Sequence, residues 1–374
     1  MRVIGFGSYD RTKHPRIGIV LDGLRELQVE VDELNAPLGF STAERVRMLG
    51  KPWLGYRFVC RLLWRWLQLC IGRLRLRHRP DAVVVGYLGH FDVVLARLLF
   101  PKTLIVLDLL IFAADTAADR GVRPGPKLRA LAALDRLAIG CADIVILDTD
   151  EHLELMPAGQ RHKAVVVDVG SPANWFSKPV EQRPDGPLRV VFYGLFTPLQ
   201  GAPTIGAAVA LLAAGPPMEI TMIGSGQDLA ETRQLAGIDP GPAQHPVTVR
   251  WVSWVEPESL PAIVAGNDVC LGIFGTSAKG RRVTPNKVYQ GAAAGCAIVT
   301  SDTPPQRRCL GEAARYVEPG NPAALAEALR SLAASPEQLT RLKVAGYTQA
   351  DQHFRPAQIA LPLLEAIRAR ELAY

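Results

Sequence analysis

The chain has 374 residues, 48% of them hydrophobic and 21% charged. That is enough for about two domains of roughly 150 residues with sizeable cores, and it excludes a peptide hormone, a zinc finger or a lone binding module. The 33 glycines and 29 prolines fall short of a low-complexity composition, and 42 basic against 36 acidic residues, a net charge of +6, favour anionic partners such as nucleotides, phospholipid headgroups or nucleic acid.

Short β-branched runs alternate with longer helical patterns, the order expected of parallel sheets with helical crossovers. Strands are predicted at Arg2 to Phe6, Val29 to Leu34, Ala82 to Tyr87, Thr103 to Leu107, Ile144 to Leu147 and Ala164 to Val169. The Pro- and charge-rich stretch Ser171 to Pro187 then breaks the periodicity and reads as a linker. Strands resume at Arg189 to Tyr193, Ile220 to Ile223, Thr248 to Val252, Val269 to Ile273, Ala297 to Thr300 and Tyr316 to Val317, and a helical pattern follows from Pro356 to Leu372. The predicted fold is α/β. Two doubly wound, Rossmann-like domains (residues 1–170 and 188–355) are joined by a linker (171–187), and a helix (356–374) crosses back onto the first. Ligands are expected in the cleft where the carboxyl ends of the two sheets face one another.

The six cysteines (Cys60, Cys70, Cys141, Cys270, Cys296 and Cys309) are scattered, without a CxxC pair or zinc spacing, which predicts a reducing cytoplasm. The first residues, MRVIGFG, enter a strand-like run and carry no signal-peptide pattern. The longest apolar run, Thr103 to Ala114, is interrupted by Asp108 and is too short to span a bilayer.

The most informative stretch is Val269 to Pro305, VCLGIFGTSAKGRRVTPNKVYQGAAAGCAIVTSDTPP. A strand runs into a basic loop (Lys279, Arg281, Arg282), and Thr284, Pro285 and Asn286 lead into a helix from Lys287 to Ala294, with Gly295 after its end. Unpaired N–H groups at a helix start, with four cations nearby, suit an anion such as a diphosphate. The competing reading is a solvated basic loop before a core helix. Gly224, Ser225 and Gly226 form a turn after a strand, either letting backbone approach a nucleotide or simply connecting strand to helix. In the first domain Gly5 to Ser8 follows the first strand. His90, Asp108, Asp115, Asp119 and Arg120 lie at or after strand ends, where doubly wound folds place chemistry. His90 and Asp115 are the catalytic candidates there. A cap or packing role for His90 and an Asp115–Arg120 ion pair are the alternatives.

These segments resemble the GT-B glycosyltransferases, in particular the group around glycosyltransferase family 4. The resemblance rests on VVFYGLFTPLQGAPTIGAA, ITMIGSGQD, VRWVSWVEPESLPAIVAGNDVCLGIF and the PNKVYQ helix with AAAGCAIVTSDTPP, and on GYLGHFDVVLAR, LDLLIFAADTAADR and DIVILDTDEH in the first domain. It implies a GT-B hexosyltransferase. The donor, a nucleoside-diphosphate sugar carrying UDP or GDP, would sit in the second domain, and the first domain would take a small-molecule, glycan or lipid-linked acceptor. Retention of configuration is implied, with no nucleic acid partner and no separate cofactor. The family's two glutamates, eight residues apart, fall on Arg282 and Gln290. Gln290 still offers hydrogen bonds to ribose hydroxyls, whereas Arg282 and Lys287 suit phosphate. The family's cations at the start of the second domain are also missing, since Leu195 and Phe196 follow Gly194, and Gln200 stands where lysine is common. Lys279, Arg282 and Lys287 are the remaining candidates to neutralise the leaving group. The segment holding Trp254 and Val255 falls where the family recognises the base through main-chain groups; Trp251 and Trp254 as core aromatics is the alternative. No DxD motif lies in a suitable loop, so no metal is expected. A nucleotide-sugar epimerase and a non-catalytic sugar-binding protein are the rival readings.

The stretch Trp53 to Arg79 stands apart. At about 100° per residue, Arg57, Arg61, Arg65, Gln68 and Arg75 share one strip and a wide apolar arc covers the rest. The helix is either interfacial, associating peripherally with an anionic membrane at its inner face, or buried with its Arg strip in solvent.

Overall fold

The computed structural model describes residues 1–12, 14–39, 55–87, 89–179, 186–212, 215–237 and 246–372. Residues 180–185 of the expected linker, 53–54 of the basic stretch and 373–374 of the closing helix lie outside the described residues.

Runs such as AVVV and IVIL are buried from end to end, as strands within a parallel sheet covered on both faces must be. In the first half, β1 (Arg2–Gly7), β2 (Glu30–Asn35), β3 (Ala82–Val85), β4 (Leu104–Asp108), β5 (Ile144–Leu147) and β6 (Ala164–Val166) form a parallel sheet in the order β2-β1-β3-β4-β5-β6. In the second half, β7 (Leu188–Tyr193), β8 (Met218–Ile223), β9 (Val247–Val252), β10 (Val269–Leu271), β11 (Ala297–Ser301) and β12 (Ala314–Val317) form another, in the order β12-β11-β10-β7-β8-β9. All twelve predicted strands are present. β10 stops two residues early: the Ile273 N–H meets the Thr300 hydroxyl at 3.4 Å, while the Gly272 N–H and the Ile273 carbonyl still bond Val299 and Ser301 of β11.

Side-chain alternation divides each core in two. Val3, Val84, Val106 and Ile146 pack against Ile17, Leu21 and Leu24 of the helix Pro15–Glu26, while Ile4, Val83, Val85 and Ile105 meet Val93, Phe100 and Ile139 on the opposite face. In the second half Val190, Phe192 and Ile220 pack on Ile205, Leu325 and Leu329, and Val191, Cys270 and Ile298 pack on Val288, Tyr289 and Phe354. The helix Pro356–Glu371 adds Ile359, Ala360, Leu363 and Ile367 to the first half's core. It crosses the Pro15–Glu26 helix so closely that a Cβ on Gly23 would stand 1.9 Å from the Pro356 carbonyl oxygen.

Strand order reverses between β1 and β3 in one sheet and between β7 and β10 in the other. Loops leaving such a pair diverge and open a crevice at the carboxyl ends of the strands.

Candidate functional site

At the β7/β10 crevice the loop Gly194 to Gln200 meets the loop after β10. The Phe274 N–H donates to the Gln200 carbonyl at 2.9 Å, locking the two loops together. Below them the helix Asn286–Ala293 starts behind Pro285, and Gly295, at φ +78°, follows its end. This helix aims Lys287 back into the crevice. The Lys287 ammonium donates to the Gln200 side-chain oxygen, lies 3.7 Å from the centre of the Phe192 ring, and would be 3.3 Å from a Cβ on Gly194. No acidic group pairs with it among the described residues. Burial therefore pushes its pKa down to about 7, against a small opposing effect of Cys270.

The residues before that helix behave differently from one another. Thr284 is buried and its hydroxyl has no partner among the described residues; the same holds for Nε of Arg282. Buried polar atoms are seldom left unpaired, so both mark a place where a polar ligand would be satisfied. Pro285 and Asn286 are half-buried at the helix start. The terminal nitrogen of Arg282 forms an ion pair with Asp115 of the first half, and Lys279 donates to the Thr116 hydroxyl at 2.7 Å. Burial lowers the Lys279 pKa. The Thr149 hydroxyl donates to the Arg282 carbonyl at 2.7 Å, and Arg308 reaches Asp150 and Glu151 at 3.2 and 2.5 Å. The carboxyl ends of the two sheets thus face one another, clasped by basic groups of the second half on polar groups of the first.

The other sequence candidates separate in space. Gln290 is buried and accepts a hydrogen bond from the Tyr193 hydroxyl at 2.9 Å, at the end of β7. Trp254 is 68% exposed and Val255 is half-buried in the loop after β9, whereas Trp251 packs on the core beneath Arg233. Gly224 has φ +128° and a Cβ there would stand 1.9 Å from the Gly194 carbonyl oxygen, while one on Gly226 would meet the Phe196 carbonyl oxygen at 2.3 Å. Both glycines serve the close approach of two protein loops. His90 is buried, its Nε2 2.9 Å from Asp135, and that carboxylate also accepts the Ala113 and Ala114 N–H groups at the start of the helix Ala113–Asp119. Asp108 is buried against Arg16 at 2.8 Å, and burial raises its pKa. Asp119 and Arg120 end the Ala113–Asp119 helix, and Arg120 is exposed. Asp115 and Asp135 both line a cavity of about 450 Å³ with Phe112, Arg136 and Met156.

Sequence reasoning passed over Asp92. Its carboxylate accepts the Ser8 N–H and hydroxyl, both at 2.7 Å, and the Trp66 indole N–H at 2.9 Å, fixing the loop at the other crevice, between β1 and β3. An acid in the first turn of the helix Asp92–Leu99 was the available signal. Among the described residues no group of three His, Cys, Asp or Glu side chains is placed to hold a metal ion.

Residues 187–335 match the family model described as glycosyl transferases group 1. That segment, about two fifths of the chain, resembles the group 1 glycosyltransferases. No curated protein matches the chain in sequence. Solved structures share the whole fold. Sucrose-phosphate synthase of Thermosynechococcus elongatus superposes with a TM-score of 0.69 at 15% identity, covering 100% of this chain and 99% of its own. The UDP-forming α,α-trehalose-phosphate synthase of Burkholderia vietnamiensis gives 0.64 at 15%, covering 100% and 99%. Anabaena HepE in complex with UDP-glucose gives 0.64 at 12%, covering 98% and 99%. The fold is therefore GT-B, with two Rossmann-like units. Within the matched segment the Lys287 amine lies beside Gly194 and Gln200 of the loop that lacks the lysine common in the family.

Proposed function

We propose that the protein transfers a sugar from a nucleoside-diphosphate sugar, held by a donor unit of residues 188–355, to an acceptor held by residues 1–170. Residues 171–187 would link the units and 356–374 would tie the chain back to the first. The observation that carries this reading is the Lys287 ammonium in the β7/β10 crevice, buried with no acidic partner among the described residues, and the Thr284 hydroxyl three residues before it, likewise unpaired among them. A diphosphate supplies the missing counter-charge, and the N–H groups at the start of the Asn286–Ala293 helix add donors.

In this reading Lys287 and Arg282 stabilise the charge that grows on the departing diphosphate, the contribution that lowers a barrier most because it is larger in the transition state than in the ground state. Lys279 and the Asp115–Arg282 pair hold the first half over the donor. Gln290 binds ribose hydroxyls through its amide, and the exposed Trp254 and neighbouring Val255 bound the base. Configuration is retained, a donor phosphate oxygen accepting the acceptor's proton on the face the leaving group vacates. No metal and no separate cofactor take part. Asp115 and His90 remain the candidates on the acceptor side, Asp115 lining the 450 Å³ cavity and His90 acting through Asp135.

A thermal-shift series with UDP, GDP and dTDP and their sugars tests the reading, because a ligand of the folded state alone raises the melting temperature by mass action. UDP-glucose, the ligand bound by HepE, comes first. Stabilisation by one nucleoside diphosphate, followed by acceptor-dependent release of it, is expected. Conversion of the donor to an epimer without an acceptor, or sugar binding with no nucleotide requirement, defeats it.

A further inference from the structure

The helix Gly55–Arg75 presents an outer face that the other described residues leave exposed. Its inner side is set by Leu62 and Leu69, both buried, with Trp66 beside them; Gly72 lies against Leu34 of β2. Turned away from these are Tyr56, Val59, Leu63, Trp64, Leu67, Ile71 and Leu74, spaced three and four apart but for the adjacent Leu63 and Trp64, and exposed, Trp64 by 59% and Leu74 by 85%. The arc covers roughly 140° of the helix at about 100° per residue. Arg57, Arg61 and Arg75 run along one of its edges, all exposed. Phe91, also exposed and 6.0 Å from Phe58, lies against the base of the same helix. A thoroughly buried helix is therefore not what the chain forms, and no described helix is long and apolar enough to cross a membrane.

The charge on this helix identifies its partner. Between Gly55 and Arg79 there are seven arginines and no acidic residue. Setting those seven aside leaves 35 basic residues against 36 acidic in the rest of the chain, so this one segment carries the entire positive excess. A second copy packed about a two-fold axis would bury the apolar arcs together but would bring the two arginine edges into one interface, with no carboxylate on either helix to neutralise them. An anionic bilayer meets both demands. Leu, Ile and Trp side chains enter the boundary between headgroups and acyl chains, while arginines along the edge reach back to lipid phosphates.

We infer that the Gly55–Arg75 helix is an interfacial anchor lying in the plane of an anionic membrane, which docks the first half of the molecule on the lipid surface. The anchor is distinct from the donor crevice, and vesicle association needs no nucleotide, so the failure of the glycosyl-transfer reading leaves it standing.

The test uses the full chain and sedimentation with vesicles of phosphatidylglycerol and phosphatidylcholine in equal parts, against vesicles of phosphatidylcholine alone. At least about tenfold more protein should sediment with the anionic vesicles, the preference shrinking in high salt. Leu63→Glu with Leu67→Glu should abolish association while leaving the melting temperature nearly unchanged, since both side chains are at least half exposed. Arg57→Gln with Arg75→Gln should remove the preference for anionic lipid with the apolar arc intact. Equal sedimentation with both vesicle types overturns the inference, as does association that survives the paired glutamates. A dimer that the glutamates convert to a monomer, with no vesicle binding by either form, overturns it in favour of a second copy.

Discussion

Replacing Lys287 by Met keeps the length of the side chain over Phe192 and removes its charge. An ammonium about 4 Å from a phosphate oxygen gains roughly 4 kcal/mol at an effective dielectric constant of about 20, and a hydrogen bond to a charged group nets about 1.5 to 3 kcal/mol after desolvation. Because burial holds the Lys287 pKa at about 7, the amine is half protonated at neutral pH, and completing its charge subtracts only a few tenths of a kcal/mol. Nucleoside-diphosphate affinity should therefore fall by about 2 kcal/mol, or roughly 30-fold. The effect on kcat should be larger, about a hundredfold, since leaving-group charge is greatest in the transition state. Stability should move the other way. The unfolded lysine titrates near 10.4 and the folded one near 7, so between those values the unfolded chain binds more protons and wild-type stability rises with pH. Lys287→Met should melt above wild type at pH 7 and below, with the gap closing toward pH 10. Calorimetry at pH 7 to 9 in buffers of different ionisation enthalpy should also find proton uptake on nucleotide binding by wild type, weaker binding as pH rises, and neither effect in the variant. Unchanged affinity and kcat in a natively folded Lys287→Met, or binding flat across that pH range, refutes the reasoning.

The remaining tests address neighbouring positions. Arg282→Ala should lower kcat more than it raises donor KM while circular dichroism stays native, and a wild-type rate would confine Arg282 to its clasp on Asp115. Gln290→Ala should weaken nucleotide binding by about 1 to 2 kcal/mol and also lower the melting temperature, because the Tyr193 hydroxyl loses its acceptor; a lower melt with unchanged affinity in calorimetry would make Gln290 a core residue. Trp254→Ala should leave stability within about 0.5 kcal/mol, the side chain being in solvent, and reduce affinity by about 1 to 3 kcal/mol if the indole stacks on the base. Equal Kd values for nucleotides with and without a base would show no such stack. Gly224→Ala should fail to fold or melt far lower, since its Cβ and the Gly194 carbonyl cannot share the space; a native melt would mean the two loops move apart easily.

The central strands were legible because they are short β-branched runs buried on both sides, a composition that allows little else. The helix Asn286–Ala293 was legible through Pro285 and Gly295, which mark its ends by local backbone chemistry. Partners across the chain were not. Arg282 meets Asp115 over a separation of 167 residues, and Ser8 meets Asp92 over 84. No local pattern predicts which of 42 basic and 36 acidic residues will pair. Lys279, Arg282 and Lys287 looked equivalent in sequence, yet the fold ties Lys279 and one end of Arg282 to the first half and leaves Lys287 without an acidic partner among the described residues. His90 illustrates the converse. Its place after a strand drew attention, and only the fold reveals Asp135 filling its Nε2 and fastening it to a helix start. Gly224 and Gly226 read as room for a ligand, but the room belongs to the loop Gly194 to Phe196.

The close crossing of the Pro356–Glu371 helix over Gly23 bears on how the chain is made. Its partner helix, Pro15–Glu26, leaves the ribosome about 330 residues earlier, so at roughly 5 to 20 residues per second the first sheet waits some 15 to 65 seconds with Ile17, Leu21 and Leu24 lacking part of their cover. The second half can complete its own core within that interval. Loss of the last helix should therefore harm the unit farthest from it in sequence, leaving residues 188–355 able to fold while the amino-terminal unit exposes an apolar groove to chaperones and proteases.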